Sequence, residues 1–131
     1  MDIKELQHIY AAHPNTRALA AKLADDSVKT LYMAGLHASS APLFFSACLE
    51  GAGHTTVFIL NDMEEAGYFY HDLVQINGEQ NVLFFPSSYR RAIKYGQKDA
   101  GNEILRTEVL SRVQKGDHVC IVTCPEAVAE K

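Results

Sequence analysis

A chain of 131 residues, 47% apolar and 21% charged, has the length of one domain and ordinary globular usage, which excludes a largely disordered polymer. Lys and Arg number 12 against 16 Asp and Glu, for a formal charge of -4, so nothing in the overall balance draws the chain to nucleic acid or an anionic membrane. No apolar run approaches the roughly 18 residues of a membrane span, and the opening "MDIKELQHIYAAH" lacks the pattern of a signal peptide, which leads to the expectation of a cytoplasmic protein without membrane partners.

In chain order, "IKELQHIYAA" reads as a short amphipathic helix, and Asn15 reads as the N-cap of a second helix, "TRALAAKLADD". "KTLYMAG" reads as a strand ending at Gly35. "SAPLFFSACLEGAG" is an apolar helix in which Pro42 is tolerated only in the first turn. "HTTVFILN" is a β-branched strand, and Asn61 to Glu64 resembles a capping box opening the helix that ends at Asn77-Gly78.

"NVLFF" is a further strand stopped by Pro86. In "AGNEILRTEVLSRVQKG" the spacing of Ile104, Leu105, Val109, Leu110 and Val113 is helical. "HVCIVTC" is a last strand, and Pro125 begins another helix. Short apolar strands alternating with helices predict an α/β fold, a mainly parallel sheet with helices on both faces. The stop just inside that last helix suggests a fragment of a longer protein.

Cys48, Cys120 and Cys124 are an odd count at irregular spacing, which argues against a disulfide framework. Cys120 and Cys124, about 13 Å apart along one strand, cannot bridge each other. The six histidines, His8, His13, His37, His54, His71 and His118, show no metal-ligand spacing, so no metal site is expected. Glu64-Glu65 fits charge placement at a helix start, and Ser39-Ser40 and Ser87-Ser88 have no general base nearby in sequence.

The turn "GLHASSAP" sits where a strand-to-helix phosphate loop would sit. A working loop, G-x-x-x-x-G-K-[ST], presents backbone N–H groups to phosphates, a lysine to their charge and a hydroxyl to magnesium. Counting from Gly35 through Leu36, His37, Ala38 and Ser39, the second glycine falls on Ser40, the lysine on Ala41 and the hydroxyl residue on Pro42. All three are missing, and His37 cannot replace the lysine because it is mostly neutral at pH 7. The expectation is a vestigial loop that binds no nucleotide cofactor. The alternative is a nucleotide- or phosphate-ligand-binding α/β enzyme with an atypical loop.

"SYRRAIKYGQK" is the one cationic, aromatic-bearing stretch. Tyr89, Arg90, Arg91, Lys94, Tyr95 and Lys98 there are candidates for a nucleic-acid or partner contact, against the plainer reading of a solvated loop.

The ordered series "AGLHASSAP", "VFIL", "NVLFFPSSY", "GNEILRTEVLSRV" and "VCIVTCPEAV" resembles the N-terminal, UvrB-like module of bacterial transcription-repair coupling factors, the Mfd family. The resemblance covers essentially residues 1–131 as one UvrB-like α/β domain of the P-loop NTPase and helicase type, and its ordered series rather than any single motif carries it. It implies a non-catalytic scaffold within a protein that removes stalled RNA polymerase at DNA lesions and recruits the nucleotide excision repair machinery through UvrA. ATP and magnesium would serve the parent's motor, a DNA translocase and ATP hydrolase, and partners would include UvrA, RNA polymerase, DNA and the parent's other domains. The short segment between Pro86 and Asn102 leaves no room for the long DNA-clamping hairpin of UvrB. In the family the chain returns later to complete the first domain, which implies an incomplete sheet with exposed apolar surface here.

Overall fold

The computed structural model describes residues 1–89 and 99–130. The chain divides into two compact units, Met1–Ala52 and Gly53–Lys131. Among the described residues no helix is long and apolar enough to cross a membrane.

The first unit packs three helices, α1 (Ile3–Ala12), α2 (Pro14–Leu23) and α3 (Ser40–Leu49), each against the other two. Asp2 opens α1 with a capping box: its carboxylate accepts from the Glu5 N–H at 2.8 Å, and the Glu5 carboxylate accepts from the Asp2 N–H at 2.9 Å. The cap of α2 is His13, not Asn15. Pro14 fits the first helical position, where no N–H is needed, and the His13 Nδ1 accepts from the Asn15 N–H at 3.1 Å. Leu19, Ala47 and Cys48 are buried, and a buried side-chain hydrogen bond runs from Gln7 Nε2 to Ser46 Oγ at 2.8 Å.

The expected strand "KTLYMAG" does not form: among the described residues, 28–36 join no sheet. Strand propensity is realised only when a neighbour supplies a ladder, and this unit is otherwise helical. Leu31, Tyr32 and Met33 consequently stay exposed, Tyr32 by 92%.

The second unit is the α/β part. Strands β1 (Thr56–Ile59), β2 (Val82–Phe85) and β3 (Cys120–Thr123) form an all-parallel sheet in the order β1-β3-β2, with Val57 opposite Ile121 and Leu83 opposite the same residue from the other side. Among the described residues the sheet therefore has three strands where the sequence suggests four. Helix α4 (Met63–Asn77) links β1 to β2, α5 (Ala100–Gln114) links β2 to β3, and the single turn α6 (Pro125–Val128) follows β3.

Side chains alternate between faces along each strand, and two core clusters follow that alternation. Val82 and Val122 join Ala66 and Leu73 of α4, with Cys124 and Ala127, in one cluster. Leu83 and Ile121 join Val109 of α5, with Val119, in the other. The two helices thus cover opposite faces, as parallel sheets require. At β1, Phe58 packs with the α4 cluster on one face, while Val57 and Ile59 on the other face are 51% and 58% exposed. Helix α5 buries only part of its apolar set: Val109 is in the core, while Ile104, Leu110 and Val113 are exposed.

The cap of α4 lies one residue later than the sequence suggests. Asp62 accepts from the Glu65 N–H at 2.8 Å, and the Glu65 carboxylate reaches back to the Asn61 N–H at 3.1 Å. Asp62→Ala should cost about 1 kcal/mol of unfolding free energy, read by urea denaturation of the second unit. Gly78 closes the helix at φ +82°, a conformation in which side-chain-bearing residues are strained.

Candidate functional site

The geometry of the turn before α3 follows from its residues. Gly35 takes φ +89°, and Ala38 takes φ +47°, a left-handed conformation uncommon outside glycine and asparagine. The chain then closes on itself through Ser40. The Ser40 hydroxyl accepts from the His37 N–H at 2.9 Å and donates to the His37 carbonyl at 2.6 Å. The Ser40 N–H also bonds to the His37 carbonyl at 3.1 Å, and the Ala41 N–H to the Ala38 carbonyl at 3.3 Å.

A phosphate cradle needs those amides turned toward the ligand. Here the amides of His37, Ser40 and Ala41 are committed within the turn, and Pro42 has none. Ser40 thus replaces the required glycine with an internal hydrogen-bonding plug. The strand that should precede such a loop is missing as well, so the strand–loop–helix frame expected from the sequence is reduced to turn and helix.

Beside this turn lies a groove of about 740 Å³, lined within the first unit by Ile9, Leu19, Met33, Gly35, Leu36 and Phe44 among others. Lys22 carries the one permanent positive charge among the lining residues, and the surface is mainly apolar. A triphosphate with magnesium needs several convergent donors and a metal-holding hydroxyl, and this lining does not supply them. Thr16 borders the groove, yet its buried hydroxyl has no hydrogen-bond partner among the described residues.

Of the six candidate contact residues in the cationic stretch, Tyr89 alone belongs to the described residues. It is 47% exposed, and its N–H donates to Ser87 Oγ at 3.3 Å. Arg90, Arg91, Lys94, Tyr95 and Lys98 lie outside the described residues.

The second polar centre of the molecule stands at the carboxyl ends of β2 and β3, and sequence reasoning did not find it. After β2 the chain turns at Pro86, Ser87 and Ser88. The Glu130 carboxylate reaches this turn from 42 residues away and accepts from the Ser88 N–H at 3.0 Å, from Ser87 Oγ at 3.0 Å and from Ser88 Oγ. Arg106 of α5 comes within 3.7 Å of the same carboxylate. Its Nη1 also donates to the carbonyls of Pro86 at 2.9 Å and Ala127 at 3.0 Å, and its guanidinium lies 4.2 Å from the centre of the Phe85 ring.

The turn is braced from its other side. Asn102 Nδ2 donates to the Ser87 carbonyl at 2.9 Å, and the Asp99 N–H to the Ser88 carbonyl at 2.6 Å. Burial opposes ionisation of Glu130, but the bonds from Ser88 and Ser87 and the Arg106 charge outweigh it and hold its pKa below the ordinary 4.5. A carboxylate so stabilised is a weaker base for a serine hydroxyl than an ordinary one. No sequence spacing signals a contact between residues 88 and 130.

The three cysteines are free thiols. Burial pushes the Cys48 thiol up to about 11 and raises that of Cys120, the opposite of what a reactive thiolate needs. Among the described residues no three His, Cys, Asp or Glu side chains gather as a metal site. Comparison of the chain with protein-family models, with curated proteins and with solved structures found no match.

Proposed function

We propose that this chain is the first α/β part of a UvrB-like module in a transcription-repair coupling factor, where it acts as a scaffold without nucleotide chemistry of its own. The observation that carries the reading is the self-closed 35–42 turn, whose Ser40, Ala41 and Pro42 stand where glycine, lysine and a hydroxyl would be required. The ordered elements add support: "VFIL", "NVLFF", "NEILRTEVL" and "VCIVTCP" become β1, β2, α5 and β3 with the start of α6. The uncovered Val57 and Ile59 suit a sheet that later segments of a longer parent chain complete.

In this reading the scaffold positions a UvrA-binding part of the parent and packs against its remaining domains. ATP, magnesium, DNA and RNA polymerase are handled by those other domains in the cytoplasm. The coding sequence downstream of residue 131 tests the assignment. Helicase motifs there are the expected result, and a continuation without them contradicts it.

The alternative, an enzyme for a nucleotide or phosphate ligand with an atypical loop, would need inward-facing amides between Gly35 and Ser40. The commitment of the His37 and Ser40 amides to the turn's own oxygens disfavours it.

A further inference from the structure

The Glu130 cluster is more than a staple, because its donors are held in place by groups other than Glu130. Ser88 is 3% exposed, and the side chains of Glu130 and Arg106 are 9% and 17% exposed. Subtracting the carboxylate leaves two hydroxyls, one amide N–H and a guanidinium converging on one point. Asn102 and the Asp99 amide still brace the turn, while the Pro86 and Ala127 carbonyls still hold Arg106.

Preorganised donors of this kind suit an oxyanion. They also lie at the carboxyl ends of parallel strands, where open α/β sheets take their ligands. Glu130, by contrast, follows the single helical turn α6, in which Ala127 is anchored in the core while Val128 is 54% exposed.

We infer that the Ser87–Ser88 turn and Arg106 form an oxyanion site occupied in the resting chain by its own Glu130 carboxylate, and that a free carboxylate or phosphate group takes the same place when Glu130 withdraws. The internal carboxylate acts as a competitor that any external anion must displace, so the unaltered chain binds weakly. The inference is independent of the family assignment proposed above.

The test is a titration of the isotope-labelled 131-residue chain with inorganic phosphate and, separately, with acetate. Ionic strength is held constant with chloride, and the Ser87 and Ser88 amide signals are followed by NMR. Glu130→Ala should give saturable shifts at a concentration about tenfold lower than the unaltered chain, the effect of about 1.4 kcal/mol of relieved competition.

Saturation by phosphate alone, by acetate alone or by both supports the site and identifies the anion it takes. A folded Glu130→Ala variant with no saturable shift at Ser87 or Ser88, or with shifts only elsewhere, overturns it. Should that variant not fold, Glu130→Gln carries the same test. Its neutral amide is held less firmly by Arg106, so it should saturate at a lower concentration than the unaltered chain, and identical or unsaturable curves overturn the inference.

Discussion

Replacing Leu73 with alanine should lower the unfolding free energy of the α/β unit by about 2–5 kcal/mol, the range for truncating a fully buried leucine. Leu73 is 1% exposed in the middle of α4 and meets the strands through Val82 and Val122, which are 2% and 0% exposed. Phe69, Tyr70 and Val74 of the same helix are only partly buried, and Tyr70 stacks on Phe84 at 5.3 Å. These aromatic side chains are fixed against the sheet and cannot easily collapse into the space left, so the upper half of the range is expected. Urea denaturation should show a lower midpoint at unchanged slope. A shift under about 1 kcal/mol would mean that the α4–sheet contact is not the core described.

Arg106→Met should cost on the order of 2–4 kcal/mol, because it strands several groups together. Methionine preserves much of the apolar stem, so the loss isolates the guanidinium. The Glu130 carboxylate loses its counter-charge while 91% buried as a side chain, the complement of its 9% exposure. The Pro86 and Ala127 carbonyls lose a donor, and the Phe85 ring loses its cation.

A pH signature separates this effect from simple packing. Glu130 titrates below its ordinary 4.5 in the folded chain, so its contribution is present above that value and is lost as pH falls through the lowered folded-state pKa. Between the unaltered chain and Glu130→Gln, the stability difference should therefore shrink on acidification below pH 4.5. A difference constant from neutral pH to well below that value contradicts the assignment of the charge to this cluster.

The α/β unit was readable from local pattern because its signals are local. β-branched and aromatic runs gave β1, β2 and β3, Asp62 and Gly78 bracket α4, and Pro86 and Pro125 end or begin elements where proline must. The caps expected at Asn15 and Asn61 lost to His13 and Asp62, neighbours able to do the same chemistry. Imidazole and carboxylate acceptors won by position, not by type.

"KTLYMAG" failed for a different reason: a strand is completed by its partner, and no pattern within residues 29–35 says whether a partner is present. The Ser87–Ser88, Arg106 and Glu130 cluster was hidden because three segments distant in sequence meet at one sheet end. At the 35–42 turn, sequence exposed the missing groups, but not that Ser40 would turn inward and consume the amide of His37.

Calorimetric titration of the chain with ATP and magnesium tests the central claim most directly. The expected result is no saturable heat at micromolar concentrations, and none after Ser40→Gly, Ala41→Lys and Pro42→Thr are combined if the backbone between Gly35 and Pro42 has lost the cradle geometry. Micromolar ATP binding by the unaltered chain, abolished by substitutions within residues 35–42, would contradict the account.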